Sequence, residues 1–409
     1  MKKIIAVFTG NRAEYGLQFP VLKAIDAHPN LEYRLIVSGA HLDKNFGNTI
    51  QEINDDGFEI HAEVDIMLDE DSPFATSQAI GTGVLSIADA LAKIQPDIFV
   101  VYADRFEGFA AVIAATQMNI PTAHIEGGDI TEGGALDDSV RHAMTKLAHI
   151  HFTTNQQASN RLLAMGEAPW RVHTVGFPAI DLIQSFNYAT PNELVDLYNL
   201  DLSKPVILFT QHSVTTEFHE AADQIKPALF ALKKLALEGN QIIITYPNND
   251  AGGRKIIDTI NDFSSSEFQG IKNIQIHSSL GRYNYHGILA LAANSKNKIC
   301  CVGNSSSGIK ETPAFGCPTV NIGSRQERRL RAENVIEAEY DDSNIYTAIE
   351  SCLYDKNFRE TSLTCNNPYG IGDAGIKIAQ VLDDTKMDLK KLLRKEMTLS
   401  GVEKNGWYQ

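Results

Sequence analysis

Short apolar runs of four or five residues recur along the whole chain, each followed by a stretch with helical periodicity, and few folds accept this alternation. In the first half the runs are Ile4 to Phe8, Tyr33 to Val37, Ile98 to Tyr102 and Thr122 to Ile125. Between them lie the helical stretches Gln18 to Ala27, Val84 to Ile94 and Phe109 to Gln117. Uninterrupted apolar strands alternating with amphipathic helices predict a parallel sheet covered on both faces. Pro121 opens the fourth run, where a missing N–H is tolerated.

The texture changes near Ser185 to Pro205, a polar connection around one short helix, and then the rhythm restarts. Val206 to Phe209, Ile242 to Tyr246, Ile274 to His277, Lys298 to Val302 and Thr319 to Ile322 read as a second set of strands. The expected organisation is two doubly wound α/β domains, residues 1–185 and 200–373. Residues 374–409 form a C-terminal extension: Ala374 to Leu393 read as a helix that can pack back on the first domain, and Gly401 to Gln409 as a loose tail. The 409 residues, 43% of them apolar, supply a sizeable core for each half.

Charge and cysteine usage narrow the function. Thirty-six Lys and Arg against 51 Asp and Glu give a net charge of −15, which argues against nucleic acid or an anionic membrane as the main partner. No apolar run approaches the roughly 20 residues of a transmembrane helix. The opening Met1-Lys2-Lys3 and its short apolar run are followed at once by Asn11, Arg12 and Glu14, so they read as a buried strand and not a signal peptide. Cys300, Cys301, Cys317, Cys352 and Cys365 show no C-x-x-C spacing, and their odd number suits reduced thiols in the cytoplasm.

Ligands of open parallel sheets bind beyond the carboxyl ends of the strands. Those positions hold Gly10 to Tyr15, Asp104-Arg105 and Glu126-Gly127-Gly128 in the first half. In the second half they hold Gln211-His212, Pro247-Asn248, Gly303 to Gly308 and Gly323-Ser324-Arg325. Small residues and three hydroxyls in Gly303-Asn304-Ser305-Ser306-Ser307-Gly308, with a helix expected to follow, suit a phosphate nest; the plainer reading is a serine turn capping that helix. Arg325 after the next strand favours phosphate. Glu311, one helical turn in, can accept from two ribose hydroxyls or stand as a solvated acid. Asp104, Glu126, Asp137 and Asp138 form an acidic set, and converging carboxylates can divide into one protonated and one ionised group. Asp137 and Asp138 can equally serve as helix-start acids. Arg105 and His142 can pair with these acids, and His212 can be a phosphate-contacting or catalytic group or a satisfied loop histidine. No G-x-G-x-x-G follows the first strand, which disfavours a nicotinamide cofactor, and no metal-ligand spacing or G-x-S-x-G elbow is present.

Together these elements resemble the UDP-N-acetylglucosamine 2-epimerase family. The resemblance rests on Gly10-Asn11-Arg12-Ala13-Glu14-Tyr15, Asp104-Arg105, His124-Ile125-Glu126-Gly127-Gly128, Leu136-Asp137-Asp138-Ser139-Val140-Arg141-His142, Gln211-His212, Pro247-Asn248, Gly303-Asn304-Ser305-Ser306 and Asn367-Pro368-Tyr369-Gly370. It runs in order from near residue 4 to near residue 380. The Asp-Asp-Ser-x-Arg-His element looks like the hydrolysing branch, which opens sialic acid and related nonulosonate pathways. The resemblance implies a GT-B-like fold, two Rossmann-like domains with the active site in the cleft between them. It also implies a UDP-sugar substrate, no cofactor, no metal and a homo-oligomer, dimer or tetramer. Matched position by position, it implies Asp104, Glu126, Asp137 and His212 as catalytic residues. Arg12, Arg105, Asn248, Ser305, Ser306, Glu311 and Arg325 match nucleotide contacts. The Asp129 to Ala135 loop is slightly longer than the family pattern, which leaves the sugar open. A GT-B glycosyltransferase, a non-hydrolysing epimerase and a nucleotide-sugar sensor are the rival readings.

Overall fold

The computed structural model describes residues 2–42, 49–66, 72–131, 136–247 and 252–398. The chain forms two units. The described residues of Met1–Asp129, Leu136–Leu182 and Tyr369–Gln409 make one, and those of Ile130–Ala135 and Ile183–Pro368 the other.

The first unit holds seven strands: β1 (Lys3–Thr9), β2 (Leu31–Ser38), β3 (Ile60–Val64), β4 (Ile98–Tyr102), β5 (Thr122–Ile125), β6 (Ile150–Thr153) and β7 (Val172–Thr174). All pairs are parallel and the order is β3-β2-β1-β4-β5-β6-β7. The period of two along a strand sends alternate side chains to opposite faces. Ile5 and Val7 of β1 join a core with Val21, Leu22 and Ile25 of the helix Arg12–Ala27. Ala6 and Phe8 join a second core with Ile87 and Leu91 of the helix Pro73–Ile94 and Ala110 of the helix Phe106–Gln117. Two buried faces explain why these strands read as unbroken apolar runs.

The second unit repeats the plan with β8 (Val206–Thr210), β9 (Gln241–Thr245), β10 (Ile274–His277), β11 (Ile299–Gly303), β12 (Thr319–Ile322) and β13 (Val335–Ala338), in the order β10-β9-β8-β11-β12-β13. In both sheets the order reverses beside the first strand, between β1 and β4 and between β8 and β11. That is the topological switch point at which open α/β sheets take ligands.

Four strands escape a search for apolar runs. β3, β7 and β13 are sheet edges and carry His61, Glu63, His173 and Glu337 within them. β6 is four residues long and contains His151. The helix expected over Ala374 to Leu393 is two helices, Ala374–Asp384 and Leu389–Leu393. Lys3 ends the first by donating to the carbonyls of Leu382, Asp383 and Thr385 at 2.6–2.9 Å, and Asp388 starts the second by accepting from the Lys391 amide. Residues 374–398 pack within the first unit: Asp181 accepts from the Ala374 and Gly375 amides, and buried Arg171 donates to the carbonyls of Lys391, Leu392 and Arg394. The expected tail Gly401 to Gln409 lies outside the described residues.

Candidate active site

In the first unit β4 and β5 are neighbours, with Tyr102 opposite Ile125, so Asp104 and Glu126 leave adjacent strand ends. Both exits bend through the left-handed region at non-glycine residues, Ala103 with φ +51° and Glu126 with φ +64°. Such a conformation costs about 1 kcal/mol or more per residue and needs outside support. His124 supplies part of it. Its Nε2 lies 2.7 Å from the Ala103 carbonyl and its Nδ1 3.1 Å from the Thr145 hydroxyl. A carbonyl only accepts, so Nε2 carries the proton and Nδ1 accepts from Thr145. Burial pushes the His124 pKa down to about 3, which keeps the ring neutral.

The helix Leu136–Leu147 brings Arg141 onto Asp104 as an ion pair, with side chains only 5% and 14% exposed. Asp138, buried one turn back, lies 3.7 Å from the same guanidinium. Fully buried Tyr102 sits beside Glu126, and burial and that carboxylate, in this order, push its phenol well above the usual range. It therefore stays protonated and can only donate to the acid. The structure thus gathers Asp104, Glu126, Asp138, Arg141 and Tyr102 in one buried group. Asp137 stands on the exposed face of the helix start, next in sequence to this group.

Arg12 and Arg105 behave differently. Arg12 is two-thirds exposed and pairs with Glu52 at 2.8 Å. Arg105 Nε lies 3.8 Å from Glu107 Oε2. Glu107 and Glu14 are a buried carboxyl pair at the end of β1. Glu14 accepts from the Gly10 amide at 2.9 Å, and burial and then Glu107 push its pKa up to about 8. A side chain at Gly10 would meet Glu107 at 2.7 Å, so the glycine makes room for the pair.

In the second unit Asn304, fully buried at the end of β11, organises the strand ends. It accepts from the His212 amide at 2.7 Å and donates to the His212 carbonyl at 2.9 Å. Its own carbonyl accepts from Arg325 at 3.1 Å and Gln326 at 2.9 Å. His212, Ser305 and Arg325, from the ends of β8, β11 and β12, are thereby drawn together. Gly303 makes the turn at φ +127°, and a Cβ there would fall 1.9 Å from the Thr210 carbonyl oxygen. The helix expected after the serines is a single turn, Ser307–Lys310, followed by a 3-10 turn, Thr312–Phe315, which carries Pro313. One turn has little dipole, so anion binding here rests on the hydroxyls and Arg325. Glu311 is no solvated acid: its Oε2 accepts from Ser307 Oγ and His286 Nε2, each at 2.9 Å. His286, then Ser307 and Lys310, outweigh burial and hold its carboxyl below the usual range. Asn248 and residues 132–135 of the Asp129 to Ala135 loop lie outside the described residues.

Sequence reasoning named Asp138 in the acidic set but missed Arg141 as the partner of Asp104, offering Arg105 and His142 instead. Arg141 and Asp138 are spaced i,i+3 and both point inward, a signal that was available. Tyr102 and His286 sit on buried elements whose polar residues carry no motif, and His124 was legible only as the first residue of the His-Ile-Glu-Gly-Gly element.

The architecture defines the class: a GT-B-like α/β protein of two Rossmann-like units, each with polar groups at the carboxyl ends of its central strands. The solved UDP-N-acetylglucosamine 2-epimerase from Neisseria meningitidis, bound to its UDP-sugar, shares this fold with a TM-score of 0.77 at 20% identity, over 94% of this chain and all of that one. The chain belongs to the UDP-N-acetylglucosamine 2-epimerase family, whose model matches residues 23–383. It is 33% identical over 383 residues to UDP-N,N'-diacetylbacillosamine 2-epimerase (hydrolyzing) of Legionella pneumophila, covering 93% of this chain and 96% of that protein. It is equally 33% identical over 352 residues to a UDP-N-acetylglucosamine 2-epimerase of Neisseria meningitidis serogroup B, covering 86% and 87%.

Proposed function

We propose that the protein is a hydrolysing 2-epimerase of a UDP-2-acetamido sugar. The substrate is UDP-N-acetylglucosamine or UDP-2,4-diacetamido-2,4,6-trideoxyglucose. The products are UDP and the free manno-type sugar for sialic or legionaminic type nonulosonate synthesis. The observation that carries this reading is the buried group at the ends of β4 and β5, where Asp104 is tied to Arg141 of the Asp-Asp-Ser-x-Arg-His element and Glu126 lies beside Tyr102. The name of the Legionella relative supports the hydrolysing branch. The same reading takes the enzyme as a cytoplasmic homo-oligomer.

The chemistry fits these residues. The C2 hydrogen lies beside an amide-bearing carbon and not a carbonyl, so direct removal is slow. Departure of UDP gives C1 oxocarbenium character and makes that proton removable. A carboxylate takes it and a glycal forms. Water then adds its oxygen to C1, keeping one hydrogen as the anomeric hydroxyl and giving the other to a carboxylate, while a protonated carboxyl group delivers a proton to C2 from the opposite face. Asp104, Glu126 and Asp137 serve the proton transfers, with His212 as the fourth catalytic group. Arg12, Arg105, Asn248, Ser305, Ser306 and Arg325 take the nucleotide diphosphate, and Glu311 the ribose.

The test is turnover of the two UDP-sugars in heavy water, followed by NMR. Deuterium at C2 of a released manno sugar is expected. Asp104→Asn, Glu126→Gln and Asp137→Asn should each slow turnover by roughly two orders of magnitude or more. Hydrolysis without deuterium at C2, an epimerised UDP-sugar as product, or transfer only when an acceptor is added would overturn the reading.

A further inference from the structure

We propose that His286 is a positioning residue that sets ribose selectivity in the second unit, by clamping Glu311 so that one carboxylate oxygen faces the 2'- and 3'-hydroxyls of a uridine nucleotide. The inference rests on the reading of Glu311 as the ribose acceptor.

Both anchors of Glu311 go to the same atom. His286 Nε2 and Ser307 Oγ each stand 2.9 Å from Oε2, and among the described residues none donates to Oε1. An ionised carboxylate offers about four lone-pair sites, two on each oxygen. The clamp fills those on Oε2 and leaves a matched pair on Oε1, the number that a vicinal diol requires. A carboxylate can only accept, and hydroxyls can donate, so the polarity fits ribose. The fit is worse for 2'-deoxyribose, which leaves one acceptor site unused.

The clamp is rigid. His286 is 3% exposed, on the helix Gly281–Ala290, and its ring packs 5.4 Å from that of Phe315. Its Nδ1 is buried and meets no partner among the described residues. Nε2 therefore carries the proton, since an N–H at Nδ1 would be left unsatisfied as well. Ser307 is held in turn beside the Tyr285 hydroxyl, from the same helix as His286. A free glutamate gives up side-chain entropy when a ligand fixes it; here that ordering is complete before the nucleotide arrives. Ser307 lies next to Ser305 and Ser306, so the clamp and the diphosphate loop share one short segment.

The test is calorimetric titration of the full chain with UDP, 2'-deoxy-UDP and pyrophosphate. Wild type should prefer UDP over 2'-deoxy-UDP by roughly tenfold, the scale of one hydrogen bond to a charged acceptor. His286→Leu should weaken UDP by about tenfold, bring it within threefold of 2'-deoxy-UDP, and leave pyrophosphate within twofold of wild type. His286→Gln, which keeps a donor near the Nε2 position, should recover most of the UDP preference. Equal loss for all three ligands, or an unchanged UDP preference in His286→Leu, overturns the inference. Glu311→Gln separates the two levels. If it abolishes the preference while His286→Leu does not, the ribose reading stands and the role of His286 falls. If wild type and Glu311→Gln bind UDP and 2'-deoxy-UDP in the same ratio, the ribose reading itself falls.

Discussion

Lowering the pH from 7.5 to 5.0 should destabilise the first unit, because among its described residues are four buried histidines whose pKa values are held at about 4 or lower. His41, His124, His149 and His151 are at most 6% exposed, and burial holds their pKa values at about 4, about 3, about 4 and about 4 against an ordinary 6.5. For His124 and His149 the hydrogen bonds themselves require the neutral ring. His124 Nδ1 accepts from Thr145, and His149 Nδ1 accepts from the Thr122 amide at 3.1 Å. A depressed folded-state pKa contributes stability that is present above 6.5 and lost as the pH falls through the folded value, since the unfolded chain binds the proton first. At pH 5 each ring loses about 2 kcal/mol by this linkage, about 8 kcal/mol for the four together. Glu14 works in the opposite sense. Its raised pKa, about 8 against 4.5, favours the folded state at low pH and is lost as pH rises through 8. It returns about 3 kcal/mol over the same interval, which leaves a net loss of about 5 kcal/mol against a typical total of about 5–15 kcal/mol. Urea unfolding followed by the fluorescence of Trp170, which stacks 4.1 Å from the Arg171 guanidinium in this unit, should show the midpoint falling by about 1.7 to 2.5 M. His149→Asn keeps an acceptor for Thr122 but removes the titration, and should flatten the slope below pH 6.5 by about 1.4 kcal/mol per pH unit. A midpoint that does not move between pH 7.5 and 5, or a slope unchanged in His149→Asn, would refute the reasoning.

Two further substitutions probe the second unit and the C-terminal segment. Arg325→Ala should remove a charge-assisted contact of about 1.5–3 kcal/mol and lower UDP affinity by one to two orders of magnitude; unchanged affinity by calorimetry would remove Arg325 from the diphosphate site. Arg171→Met leaves the carbonyls of His149, Lys391, Leu392 and Arg394 without their donor, and should cost about 3 kcal/mol and expose Leu389–Thr398 to protease before the rest of the unit; equal resistance to wild type would mean that packing and the Lys395 contacts to Glu167 and to the Thr145, Lys146 and Ala148 carbonyls suffice to hold the segment.

The central strands were legible because burial on two faces writes itself into sequence as an apolar run. Ile98–Tyr102 and Thr122–Ile125 lie where the pattern puts them, and their adjacency places Asp104 beside Glu126. Edge strands such as β3 and β13 were not legible, because a half-covered strand tolerates Glu63 or Glu337 and loses the run. The serine loop was legible as composition, whereas the length of its helix was not, since Pro313 and the packing of Phe315 end it after one turn.

By itself the sequence determined the class of fold, the family, and which strand ends carry polar chemistry, since those follow from periodicity and from motifs that are local in the chain. Tertiary structure alone decided the partnerships: Arg141 with Asp104 across 37 positions, His212 with Asn304 across 92, His286 with Glu311 across 25. It also decided protonation, since Glu14 and His124 depart from ordinary values only through burial and neighbours brought from other elements. The physical reason is range. Hydrophobic patterning is read over a few residues, whereas hydrogen bonds and desolvation act over a few ångströms between segments whose proximity is set by the completed sheet.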